Sequence, residues 1–295
     1  MKSHTTEFAE FLASNNKFVV CDLYTFELQI PYWDGINGVQ FDPFFARYTS
    51  FDQDVWHEGE LYSATSALIE RTSVRANVGV EVDKLNLRIY ANDDMYLRGQ
   101  PFMQAITAGE LDSATLKLDR LYMDVDLVPQ GTVNMFSGRV ATVRTGRSVA
   151  EIEVNSDLEL LNINMPRKLY QAGCQNTLYD VNCGVYAAQF SETLTVGSGS
   201  TKTTLYISSS KPLGYFDLGG IIFNTGENAN ALRTIKSWDG TKLELVNPLP
   251  STPILGETFY AFAGCDKKKD TCVAKFDNVI HFRGFPYIPQ PETMR

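Results

Sequence analysis

Histidine is scarce in this chain: only His4, His57 and His281 occur in 295 residues. None of them falls in an H-E-x-x-H or other paired spacing, which argues against a zinc hydrolase. No G-x-S-x-G nucleophile elbow is present. Nor is there a Gly-rich strand-to-helix loop of the dinucleotide or P-loop type; TVGSGSTKTT fits neither pattern and reads as a turn between strands. Apolar runs of the roughly 18–20 residues that cross a bilayer are missing, so no membrane span is expected. The N-terminal stretch MKSHTTEFAEFLASNN is too polar for a signal peptide, which points to a protein made in the cytosol and kept there until assembly. Basic charge is outnumbered, with 26 Lys and Arg against 35 Asp and Glu and a formal net charge of -9. The chain as a whole is therefore not an obvious nucleic-acid binder.

Cysteine is sparse too, but its five residues are unevenly placed. An odd number without an export signal argues against a disulfide framework. Cys21 lies in the apolar, strand-like run KFVVCDLYTF and reads as a buried core thiol. The other four form two distant pairs, Cys174 with Cys183 and Cys265 with Cys272. Four thiolates that converge make a site for an iron–sulfur cluster or a zinc ion. The spacings are C-x8-C and C-x6-C. Zinc knuckles use tighter C-x2-C or C-x4-C turns, and longer spacings suit a larger cluster. Spacing alone leaves a cluster, a zinc ion and unligated core cysteines open.

What is plentiful is the raw material of a β-rich core. Hydrophobic residues make up 44% of the chain, with 18 Phe and 14 Tyr, so disorder is not expected. The dominant pattern is short strands between turn signals. KLNLRIY alternates strictly. Leu116 and Leu118 alternate as well, but the phase slips before Leu121 and Met123, which predicts a bulge in a long strand. VATVRTGRSVAEIEV predicts a hairpin at Thr145-Gly146, and LRTIKSWDGTKLELV another at Asp239-Gly240. Helices are few and short: an N-terminal amphipathic one with Phe8, Phe11 and Leu12 on one face, PFMQAITAGEL, and short pieces at MPRKLYQAG and CVAKF. The fold class expected is mainly β, with small barrel or sandwich domains, a few short helices and an extended C-terminal arm rich in proline (Pro286, Pro289, Pro291). Two domains are expected, 1–160 and 161–295. In the second, the cysteine pairs bracket an all-strand region from about Ala187 to Phe262. A metal centre joining the pairs would clip that region's ends together.

The carboxylate pairs Asp93-Asp94 and Asp124 with Asp126 read as turn or strand-edge residues. No specific case exists for the converging carboxylates of a glycosidase. Lys267, Lys268, Lys269, Lys275 and Arg283 make the second cysteine region locally basic. That basicity reads as a solvated loop easing the charge of a thiolate-bound centre, with contact to an acidic partner or to DNA as the alternative.

The segment GCDKKKDTCVAKFDNVIHFRGFPYIPQP resembles the C-terminal signature of a family of phage tail proteins. LYQAGCQNTLYDVNCGVY is similar to that family's first cysteine pair. GGIIFNTGENANALRTI and GETFYAFAGCD fit as well, and GELYSA, VDKLNLRIY and ITAGELDSATLKL fit more loosely. The family includes the baseplate hub proteins of gene transfer agents and siphophages, and the tail tip protein of lambda-like phages. The resemblance implies a non-enzymatic structural component of a virion tail tip or baseplate hub, assembled in the host cytoplasm. It implies a homotrimeric ring with three partners: the distal tail ring protein, the tip or receptor-binding central fibre protein, and the tape measure protein. It also implies a [4Fe–4S] cluster held by Cys174, Cys183, Cys265 and Cys272, with zinc as the alternative. One departure is His281, where the family often has Asn. An isolated cluster in a β-rich assembly protein reads as a structural staple. The rival readings are a redox-active iron–sulfur protein and a cell-envelope hydrolase.

Overall fold

In a computed structural model the described residues are 6–14, 17–64, 68–74, 83–92, 95–162, 165 and 169–288. They are mainly β, as expected. His4, Asp93-Asp94, residues 166–168 of MPRKLYQAG and most of the proline-rich arm lie outside them, and residues 169–173 of that stretch form no helix, contrary to expectation. The chain divides into two compact units. One holds residues 1–29 and 43–163, the other 30–42 and 164–295.

The first unit opens with helix α1 (Thr6–Ser14), whose Phe8 is buried against Tyr122. Strands β1 (Val19–Trp33) and β2 (Val39–Thr49) follow, then the short pair β3 (Val55–His57) and β4 (Glu60–Tyr62). Next come β5 (Leu68–Arg71), β6 (Lys84–Tyr90), and the short pair β7 (Tyr96–Leu97) and β8 (Gln100–Pro101). Helix α2 (Phe102–Thr107) leads to β9 (Thr115–Met123), β10 (Pro129–Thr145) and β11 (Val149–Ser156). Seven of these strands form one sheet in the order β2-β1-β9-β10-β11-β6-β5. The predicted hairpin at Thr145-Gly146 joins β10 to β11, closed by the Gly146 amide on the Val149 carbonyl. The alternation in KLNLRIY is that of β6, with Leu85, Leu87 and Ile89 buried.

The phase slip in β9 has a different cause from the one predicted. β9 pairs with β1 in unbroken register from Val19–Met123 to Glu27–Thr115. Leu116 and Leu118 join Tyr24, Phe26 and α2 in the main core. Leu121 and Met123 join Cys21, Leu23, Val55 and Tyr62 in a second cluster. Successive side chains point to opposite faces, so the slip marks a change of buried face rather than a bulge. The irregularities lie next door, where β10 carries the extra residues Gln130 and Met135 opposite β9. Cys21 is buried in that second cluster, the core thiol expected.

The flanks of this sheet are tied together. Arg71 at the end of edge strand β5 donates to Asp22 of β1 (Nε, 2.7 Å), and Arg120 of β9 donates to the same carboxylate (2.9 Å). The sheet thus curls around its core as part of a barrel. Burial, then the Asp22 charge, pushes the Tyr24 hydroxyl to about 12, so it stays un-ionised beside this ion cluster.

The second unit contains β12 (Ser191–Thr195), β13 (Thr204–Tyr206), β14 (Gly220–Phe223), β15 (Leu232–Trp238), β16 (Lys242–Leu245) and β17 (Thr258–Phe262). They form a six-stranded sheet ordered β12-β17-β14-β15-β16-β13. TVGSGSTKTT is the turn between β12 and β13, and there the Gly197 amide donates to the Tyr206 carbonyl (2.7 Å), bringing the two edge strands together. Asp239-Gly240 makes the predicted hairpin: the Asp239 carboxylate accepts the Thr241 and Lys242 amides, and Gly240 takes φ +98. The core of this unit includes Phe216, Ile221, Phe223, Ile235, Leu243 and Phe259. Residues 30–42 belong here, with Trp33 stacked on Tyr260 and Phe262. The expected boundary at 160 took no account of this excursion. Helix α3 (Lys269–Phe276) follows β17 and includes the predicted CVAKF piece.

Candidate metal centre

Cys174 and Cys183 bound a loop with no helix or strand, and Asp180 sets its shape. The Asp180 carboxylate accepts the Thr177 amide (3.1 Å) and the Cys183 amide (2.6 Å), and its carbonyl accepts the Gly184 amide (2.9 Å). An aspartate that binds the backbone ahead of and behind it folds a tight turn. The eight intervening residues therefore form a compact loop rather than a slack one.

Cys265 follows β17 closely, across Ala263 and Gly264. Gly264 leaves no room for a side chain. A Cβ there would lie 2.1 Å from the Asp217 carbonyl oxygen and 2.2 Å from the Gly219 amide. Cys272 sits in the first turns of α3 and is buried. Asp277 takes the left-handed conformation (φ +47) just past the helix, and the turn brings the Asn278 amide onto the Cys272 carbonyl (3.1 Å). The chain then runs through FRGFP. A Cβ on Gly284 would lie 2.6 Å from the Ala172 carbonyl oxygen, so this glycine lets the C-terminal segment lie flat against the backbone leading into Cys174.

These constraints bring all four cysteines to one small cavity, which is also lined by Leu178, Val185, Phe276, Asn278, His281 and Lys267. No disulfide links them. Among the described residues, no group of three or more His, Cys, Asp or Glu side chains stands close enough together to hold a metal ion. Protein N–H groups are directed at three of the sulfurs. The Arg283 amide reaches Cys174 Sγ (3.4 Å), the Lys267 amide reaches Cys265 Sγ (3.3 Å), and Asn278 Nδ2 reaches Cys183 Sγ (3.8 Å). The fourth thiol, Cys272, donates to the Asn278 carbonyl (3.3 Å). Burial, and then the three neighbouring cysteines, push the Cys272 thiol above its ordinary range. A soft four-sulfur donor set with N–H groups aimed at it suits a thiolate-bound iron–sulfur or zinc centre.

Of the aromatic residues flanking the cysteines, Phe276 lines the cavity. Tyr179 packs beside it and donates to the Ala263 carbonyl (2.7 Å). Tyr170 is exposed and pairs with Phe285, while Phe282 lines a neighbouring groove. The basic run has partners. Lys267 Nζ donates to the Asn176 carbonyl (2.6 Å), Lys268 pairs with Asp266 (3.7 Å), and Lys269 lies over the Tyr287 ring. Lys275 donates to the Tyr215 and Gly264 carbonyls, and burial lowers its pKa. Asp124 accepts the Asp126 and Val128 amides and is a turn residue, as read from the sequence. His281 hydrogen-bonds Asn278. Sequence reasoning missed Asp180, Lys267 and Asn278 as shapers of the site.

Residues 5–186 match the family described as "Baseplate hub protein, N-terminal attachment domain", over more than half of the chain. The chain belongs to this family. As a baseplate hub protein it is a structural component of the virion tail. Residues 214–292, which carry the second cysteine pair, match a further family, "Phage conserved hypothetical protein BR0599". No curated protein matches the chain. A chain of the solved structure "Virion of native gene transfer agent (GTA) particle" is similar to this hub protein, with a TM-score of 0.78 and 18% identity. The match covers 98% of this chain and 94% of that one, and at such identity it shows a shared fold. No helix of the described residues is long and apolar enough to cross a membrane.

Proposed function

We propose that this hub protein carries a [4Fe–4S] cluster on Cys174, Cys183, Cys265 and Cys272, and that the cluster is a structural staple rather than a catalyst. The observation that carries this reading is the gathering of four thiols, from segments some eighty residues apart, around one cavity with N–H groups aimed at the sulfurs. The eight- and six-residue cysteine spacings are longer than those of zinc knuckles and suit a larger cluster. When bound, the cluster would cross-link the loop before β12 to the segment after β17, at the sheet edge where Ser191 of β12 pairs with Phe262 of β17. The neighbouring lysines would offset its negative charge.

In the tail, the protein acts as a homotrimeric hub. Its first unit meets the distal tail ring. Its second meets the tip or receptor-binding fibre protein, with the tape measure protein inside. Head-to-tail contacts that close give such rings. Replacing both Cys174 and Cys272 by Ser is expected to yield colourless protein and to stop tail completion, read as loss of infective particles by plaque or transduction assay. Normal infectivity from the colourless double variant would contradict the staple.

A further inference from the structure

Asn278 touches one cysteine of each pair. Its amide donates to the Cys272 carbonyl (3.1 Å), and its carbonyl accepts from Cys272 Sγ (3.3 Å). Its side-chain Nδ2 donates to the Cys183 carbonyl (2.6 Å) and points at Cys183 Sγ (3.8 Å). Its Oδ1 is bound by His281 Nδ1 (2.6 Å), and the His281 amide returns to the Asn278 carbonyl (3.2 Å). The orientation of the carboxamide is fixed by chemistry. The Cys183 carbonyl can only accept, so Nδ2 must face it; Oδ1 can only accept, so His281 must donate from Nδ1. His281 is held in turn against Gly184, the residue after Cys183, with its ring 3.4 Å from where a Cβ would lie.

We propose that Asn278, oriented by His281, is the positioning residue of the cysteine centre: it sets the distance between Cys183 and Cys272 and supplies an N–H to the Cys183 sulfur. This rests on the metal-centre reading above and adds to it the part of the chain that prepares the site. An aspartate at 278 has nearly the same shape but places an acceptor oxygen against the Cys183 carbonyl and sulfur. Asn278→Asp therefore removes the donor while keeping the volume. His281→Ala removes the donor that holds Oδ1, which frees the carboxamide to turn Nδ2 away from the Cys183 sulfur.

The test uses full-length protein reconstituted anaerobically with ferrous iron and sulfide, or loaded with zinc alone, then titrated with a chelator. Wild type, Asn278→Asp and His281→Ala are compared by retained metal, visible spectrum, reduction potential and thermal melting. Outer-shell partners of metal ligands typically contribute 10–100-fold in affinity. Asn278→Asp is expected to lose metal in about that range, and His281→Ala less but in the same direction. Fewer N–H groups at sulfur make the potential of the variants more negative, a change that a merely structural role would not produce. Metal held by Asn278→Asp as tightly as by wild type, at an unchanged potential, overturns the assignment. If Asn278→Asp does not fold, His281→Ala matching wild type on both measures overturns it equally. Wild type that binds neither iron nor zinc overturns the metal-centre reading itself, whatever the variants do.

Discussion

Gly264 is the residue with the least freedom at the centre. Its Cα lies so close to the backbone at Asp217 and Gly219 that a methyl group must push β17 or the Cys265 segment aside. Gly264→Ala is expected to cost about 1–3 kcal/mol, the range of overpacking substitutions, seen as a lower denaturation midpoint. Unchanged stability would show that the segment shifts freely. The four paired cysteines and the buried Cys21 were legible in the sequence, because sulfur chemistry and an apolar context are local signals. Asn278, Lys267 and Asp180 were not. Asn278 and Lys267 act through hydrogen bonds to backbone groups that only the folded chain brings near, 95 and 91 residues away in sequence, whereas Asp180 binds the Thr177 and Cys183 amides, three residues to either side. Their residue types carry no mark of that role.

At the level of elements, the tight hairpins were readable because Thr145-Gly146 and Asp239-Gly240 declare their turns. The double-faced strands β1 and β9 were harder. Their apolar pattern changes phase midway because they bury one face at one end and the opposite face at the other, and a one-strand pattern cannot tell this from a bulge. The closure of the first sheet was also invisible, since Asp22 meets partners 49 and 98 residues away. One carboxylate there serves two guanidiniums, with side-chain exposure of 11% for Asp22, 17% for Arg71 and 29% for Arg120. Removing a buried partner leaves charges stranded, at a cost of about 3–5 kcal/mol. Asp22→Ala is expected near the lower end, because Arg120 keeps some water. Urea denaturation checks this; a midpoint equal to wild type would mean that packing alone holds β5 to β1.

At the level of the whole molecule, each unit has its own core. The sheet of the second unit buries Phe216, Phe223, Phe259 and their neighbours without any cysteine. The cysteines border a separate small cluster around Val185, Ala263 and Phe276. From sequence, a metal centre joining the cysteine pairs was expected to clip together the ends of the whole strand region between them. The separate core narrows that effect to the cysteine-bearing segments, which meet the sheet at the one edge where Ser191 of β12 pairs with Phe262 of β17, so loss of the centre is expected to loosen that corner and leave the strands paired. The measurement that tests this account most directly is iron, zinc and acid-labile sulfide analysis, with a visible spectrum, of the protein purified without oxygen. Brown protein with about four irons and four sulfides per chain is the result predicted for a cubane on four cysteines. Colourless protein with about one zinc per chain, as a tetrahedral four-cysteine site would hold, contradicts it.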